Sequence, residues 1–191
     1  MEEHVQYDEV EVSQPTLPKH ALISGVITGG ISVFISLFTY FMSVGKFVEG
    51  WADFVTMFTV LGLVIYFGIQ YRKVIGGYIS FKDAFLHGLI IFTVAGLMDR
   101  SFQYVMYNFV NPDLVQMKID QSIEGIVQMG EILNFSEDTM DAQIETIEKE
   151  LKNAYNLGKM FWGYLLSVLI YAGISLVTAL IVRKREPEDD F

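Results

Sequence analysis

The sequence predicts an all-α membrane protein: four transmembrane helices with an extracytoplasmic amphipathic helical hairpin between helices 3 and 4. Two observations carry that prediction. Four apolar runs, at about 21–45, 54–71, 84–107 and 160–182, are each long enough to cross a bilayer, and three of them contain no Asp, Glu, Lys or Arg. Crossing the hydrocarbon core takes about 20 mainly apolar residues in a helix. The stretch between the third and fourth runs is polar on average, yet its apolar residues recur at helical spacing. Composition agrees, with 52% hydrophobic and 14% aromatic residues.

The first run is expected to be an uncleaved helix rather than a signal peptide. About twenty residues precede it, and Glu2, Glu3, Asp8, Glu9 and Glu11 give them an acidic character, opposite to the basic start of a signal sequence. Residues 1–19 therefore read as a polar N-terminal segment, made extended before the helix by Pro15 and Pro18. Residues 20–185 read as the membrane domain and 186–191 as an acidic tail. The net charge of −10 is an average over acidic segments and basic flanks. No net basic patch calls for nucleic acid.

Orientation follows from Lys and Arg in the short loops. With four spans, the N-terminus, the loop 72–83 and the C-terminus share one side, which holds Lys19, Arg72, Lys73, Lys82, Arg183, Lys184 and Arg185. That side is expected to be cytoplasmic, which places the segment 111–158 outside a cell (inner) membrane. Trp51, Phe161 and Trp162 fall near the outer ends of their spans, where aromatic rings favour the interface.

The outer segment is predicted as a hairpin over 112–157. Asn111-Pro112-Asp113 opens a helix to about Leu133, with Val115, Ile119, Ile123, Ile126 and Val127 along one face. Ser136 then caps a second helix carrying Met140, Ile144, Ile147 and Leu151, with Gly158 as its expected C-cap. The pair is acidic, whereas interfacial helices usually carry Lys and Arg on their polar face. It is therefore expected to fold onto the bundle or dock a protein.

Within the membrane, Gly25, Gly29, Ser32 and Ser36 form one small-residue face on the first span, and Gly163 and Ser167 repeat the pattern on the fourth. Such faces let helix backbones approach closely. They are expected to pack within the bundle, and nothing in the sequence calls for a homo-oligomer.

Asp99-Arg100 in the third span breaks the membrane pattern, since either charge at a helix centre costs about 2.5–3.5 kcal/mol. Asp99 lies about 22 Å along the helix from Ala84, in the outer third. The pair extends through Gln103, with Asp53 as the expected partner of Arg100 and Lys159 or Lys46 as that of Asp99. A structural ion pair and a ligand site are the two readings of this group. His87, one turn from Asp83, reads as an interfacial histidine.

Catalytic and phosphate-binding motifs are missing. His4, His20 and His87 are too scattered for a His-rich metal site, and cysteine is absent, so neither metal nor cofactor is expected.

The segment Gly77-Tyr78-Ile79-Ser80-Phe81-Lys82-Asp83-Ala84-Phe85, the close of the third span in Tyr107-Asn108-Phe109-Val110-Asn111-Pro112-Asp113, and a last span ended by basic residues and a Pro-Glu tail resemble domain of unknown function 4199, a family of small bacterial membrane proteins. The resemblance implies no activity, cofactor or catalytic residue. It implies an accessory role, because members are often encoded near glycosyltransferases of cell-envelope pathways. The leading expectation is thus a non-enzymatic accessory or scaffold subunit of an envelope complex, with the lipid bilayer and a membrane or envelope protein as partners. The alternative is a small transporter or channel-like protein using Asp99, Arg100, Gln103 and Asp53, and a lipid-modifying enzyme comes third. A closed ion pair would favour the scaffold, and an open cavity beside Asp99 would favour transport.

Overall fold

The computed structural model describes residues 15–185. The expectations for the acidic N-terminal residues and for the acidic tail fall outside that range. Among the described residues the chain forms α1 (Leu17–Met42), the short α2 (Val44–Val48), α3 (Trp51–Val74), α4 (Phe81–Val105), α5 (Asp113–Leu133), α6 (Glu137–Ala154) and α7 (Leu157–Val182). A π-helical turn, Met106–Val110, extends α4. Four of these helices, α1, α3, α4 with its π turn, and α7, are long and apolar enough to cross a membrane, as a multi-pass membrane protein requires.

Local chemistry sets the helix ends. Pro18 lies inside the first turn of α1 rather than in an extended lead, because first-turn N–H groups have no intrahelical acceptor and proline loses nothing there. Gly76 and Gly77 both adopt positive φ, which turns the chain from α3 into α4. Ser80 caps α4 by accepting from Asp83 N at 3.1 Å. Gly158 is not the C-cap of α6. It sits in the first turn of α7, where the Asn156 side chain accepts from its N–H at 2.9 Å.

The helix α4 is the hub, packed against α1, α3 and α7. Its closest approach is to α1. A Cβ added at Gly25 would lie 2.8 Å from Val94 Cβ, and one at Gly29 would lie 2.6 Å from Met98 Sδ and 3.1 Å from Ala95 Cα. Ser32 and Ser36 are buried on the same face. On the other side of α4, Gly88 admits Ser175 of α7, whose hydroxyl donates to Phe85 O at 2.8 Å. Tyr171 rests on Gly96 in the same seam. Gly163 is different: an added Cβ there meets nothing within 4 Å, and Ser167 returns its hydroxyl to Gly163 O on its own helix. The close packing expected at Gly163 is therefore found elsewhere on α7, at Ser175 and Tyr171.

The helices α5 and α6 form a hairpin, turned by Asn134 at φ 54°. It meets the membrane helices at its base. Leu114 packs with Phe47, Val48, Met106 and Tyr107, and the Lys118 ammonium donates to Val48 O. Tyr155, after α6, stacks on Tyr107 with ring centroids 3.7 Å apart. At the opposite end of the bundle an antiparallel bridge joins Ile79 to Lys184.

The neighbouring glycines of α1 give a matched test. Gly30 has open space where a Cβ would stand. Gly29→Leu should lower stability in detergent by about 1–3 kcal/mol through overpacking, and Gly30→Leu should leave the melting midpoint nearly unchanged. Equal midpoints for the two variants would contradict the α1–α4 contact.

Candidate functional site

A cavity of about 610 Å³ opens between α3, α4 and α7 toward the hairpin end of the bundle. That volume falls within the range of small-molecule sites. Helical periodicity explains its walls. Asp53, Thr56, Met57, Val60 and Leu61 form one face of α3, at i, i+3, i+4, i+7 and i+8. Phe92, Ala95, Gly96, Asp99 and Gln103 do the same on α4, with Arg100 beside them. Tyr171 and Ile174 close the α7 side, Ser32 reaches the cavity from α1, and Tyr155 covers the hairpin end.

The structure thus brings Asp53, Asp99, Arg100 and Gln103 to one cavity. It does not close them into the expected ion pairs. Among the described residues the salt bridges are Lys149–Glu145 and Lys152–Glu148, both on the exposed α6. Asp53 is therefore not in contact with Arg100, and neither Lys46 nor Lys159 pairs with Asp99. Asp99 Oδ2 instead accepts from Gln103 Nε2 at 2.8 Å, and Arg100 Nη1 donates to Gln103 Oε1 at 3.5 Å. Gln103, one turn beyond Asp99, thus links the two groups through its amide, while Asp99 and Arg100, as sequence neighbours, point to different sides of α4. Asp53, on the opposite wall, has no hydrogen-bond partner among the described residues, though Arg100 and Lys118 act on it through space. The Thr56 hydroxyl is buried and likewise has no partner. Burial pushes the Tyr155 phenol above its usual range, so it stays a neutral group at the cavity's hairpin end.

Sequence reading missed a second polar cluster. His87 is fully buried (0% exposed) rather than interfacial. Its Nε2 lies 2.9 Å from His20 Nδ1, and its ring stacks on Tyr71 with centroids 5.1 Å apart. Asp83, its expected neighbour, is engaged by the Ser80 hydroxyl at 2.7 Å. His20 and Ser24 share a face of α1 with Thr28 and Ser32, a period-four polar strip that could have signalled the cluster. No metal-binding group of three or more His, Cys, Asp or Glu occurs among the described residues.

Two substitutions check this geometry. Arg100 takes part in no ion pair and keeps one hydrogen bond, to Gln103, so Arg100→Met should lower unfolding stability by about 0.5–1.5 kcal/mol. Breaking a buried pair would instead cost about 3–5 kcal/mol. His87→Leu removes the partner of His20 inside the bundle and should cost about 1–3 kcal/mol in the same unfolding assay.

A family model described as Protein of unknown function (DUF4199) matches residues 23–184, most of the chain. No curated protein and no solved structure matches it.

Proposed function

The chain belongs to the DUF4199 family, and we propose that it is an integral membrane protein that binds a small charged ligand in the α3–α4–α7 cavity and passes it toward the membrane interior. One observation carries this reading. Two carboxylates and a guanidinium line an open cavity without pairing with one another. Charged groups in a membrane helix are costly and by default mark ligand and ion pathways, and here Asp99 and Arg100 meet no opposite charge within salt-bridge distance, only the Gln103 amide. A structural ion pair would have been closed. On this reading Asp53, Asp99 and Arg100 serve to hold the ligand's charges, with the Tyr155 and Tyr171 phenols beside them.

An accessory or scaffold role in a cell-envelope complex is the second reading. The observation that favours it is the hairpin tip, where Met129, Ile132 and Leu133 are exposed and no residue of α6 is buried. Arg72, Lys73, Lys82, Arg183, Lys184 and Arg185 all lie at the end of the bundle away from the hairpin, which supports a cytoplasmic placement of that end in an inner membrane.

The chain contains no cysteine, so single cysteines report cleanly. Thr56→Cys should react with a small water-soluble thiol reagent at least about tenfold faster than Thr28→Cys, which stands on a fully buried face. Equal, slow labelling would mean a dry cavity and would leave the scaffold reading. In intact cells, cysteines at 46 and 150 should be reached by an impermeant reagent and one at 75 should not; the reverse pattern would overturn the orientation.

A further inference from the structure

We infer that the occupant of this cavity is the headgroup of a zwitterionic amphiphile, one carrying both an ammonium and an anionic group, admitted sideways from the bilayer between α3 and α7. The inference rests on the ligand-binding reading above and names the ligand's class and its route.

The route follows from where α3 and α7 touch. Away from the hairpin they are clamped together: a Cβ at Gly68 would lie 2.8 Å from Val182 Cγ2, and Arg72 Nη1 donates to Val182 O at 2.7 Å. Nearer the hairpin the two helices become opposite walls of the cavity. Met57 on one wall is 54% exposed and Ile174 on the other 36% exposed, although both line the cavity. A wall residue that is also exposed marks a mouth. This mouth lies along two membrane-crossing helices and is bordered by exposed Phe54, Phe58 and Ile170. It therefore gives onto hydrocarbon rather than water.

The class follows from how polarity is distributed. Along α4 the wall runs from Phe92 through Ala95 to Asp99 and Gln103; along α3 it runs from Leu61 through Met57 to Asp53. Both walls are apolar toward the middle of the bundle and charged toward the hairpin. That gradient parallels an amphiphile standing in one leaflet, chain toward the centre and head toward the interface. The charges then select the head. A purely anionic head would meet Asp53 and Asp99 as well as Arg100, and a purely cationic head would meet Arg100. A head with both charges sets its ammonium between the carboxylates of the two walls and its phosphate or carboxylate against Arg100.

The test uses the purified full chain in detergent and three probes: lysophosphatidylethanolamine, lysophosphatidylglycerol and water-soluble glycerophosphoethanolamine, with binding followed by native mass spectrometry. The ethanolamine lysolipid should bind at least about tenfold more tightly than the glycerol one, and Arg100→Met and Asp53→Asn should each weaken it by about tenfold. Ile174→Trp, and independently Met57→Trp on the facing wall, should block it. Equal binding of the two lysolipids would overturn the headgroup assignment. Tight binding of the chainless probe, unaffected by either Trp, would overturn the sideways route while leaving a ligand-binding protein. Failure of all three probes, together with an inert Thr56→Cys, would remove both the ligand and the site.

Discussion

The close approach of α1 and α4 at Gly25 and Gly29 is the constraint from which the rest of the architecture follows. Between helices in a bilayer no hydrophobic drive exists, so contact must come from dispersion and hydrogen bonding at short range. Val94 and Met98 occupy the space that side chains at Gly25 and Gly29 would take. With one face of α4 committed to α1, α7 packs along another face of α4, while α3 packs mainly against α1. The helices α3 and α7 converge at Gly68 and Val182 and diverge toward the hairpin. The cavity is the wedge left by that divergence.

The same seam explains how so much polarity is accommodated. Ser24, Thr28, Ser32 and Ser36 are all buried along α1. Hydroxyls in apolar surroundings need an acceptor, and several find one on their own helix: Ser32 on Thr28 O at 3.0 Å, Thr93 on Leu89 O at 2.7 Å. Such groups are internally satisfied and demand nothing of a partner or ligand. Thr28 Oγ1, Thr56 Oγ1 and His87 Nδ1 are the buried atoms left over among the described residues. Thr56 faces the cavity, and His87 belongs to the imidazole pair at the opposite end. The buried polar atoms left without a partner thus fall in three places: the cavity wall, the imidazole pair and the buried face of α1 at Thr28.

The spans were legible in the sequence because their signal is local: an uninterrupted apolar run needs no knowledge of its neighbours. The hairpin was legible for the same reason, through Ser136 and two apolar stripes. Asp53, Asp99, Arg100 and Gln103 could be singled out as charges or amides in an apolar setting, and the structure places all four at one cavity. Their pairing could not be read, because that depends on how far α3 stands from α4. Gly163 shows the same limit from the other side. Its spacing to Ser167 matches a packing motif, and both residues are half-buried, but no neighbouring helix comes within 4 Å of where its Cβ would stand. His20 and His87 are 67 residues apart and meet only because α1 and α4 run parallel in register. Contacts that depend on the phase of one helix against another leave little trace along the chain.

The π-helical turn Met106–Val110 has a consequence of that kind. Asn111 N donates to Met106 O at 2.9 Å, closing a ring one residue wider than an α-helical turn. The extra residue rewinds everything that follows by about a quarter of a revolution relative to an uninterrupted α-helix. Within this turn Tyr107 stacks on Tyr155, and the Asn108 amide donates to Tyr155 O at 3.0 Å. The residues that end the membrane helix are thus also the ones that hold the hairpin's base, so a one-residue deletion in this turn would disturb both at once.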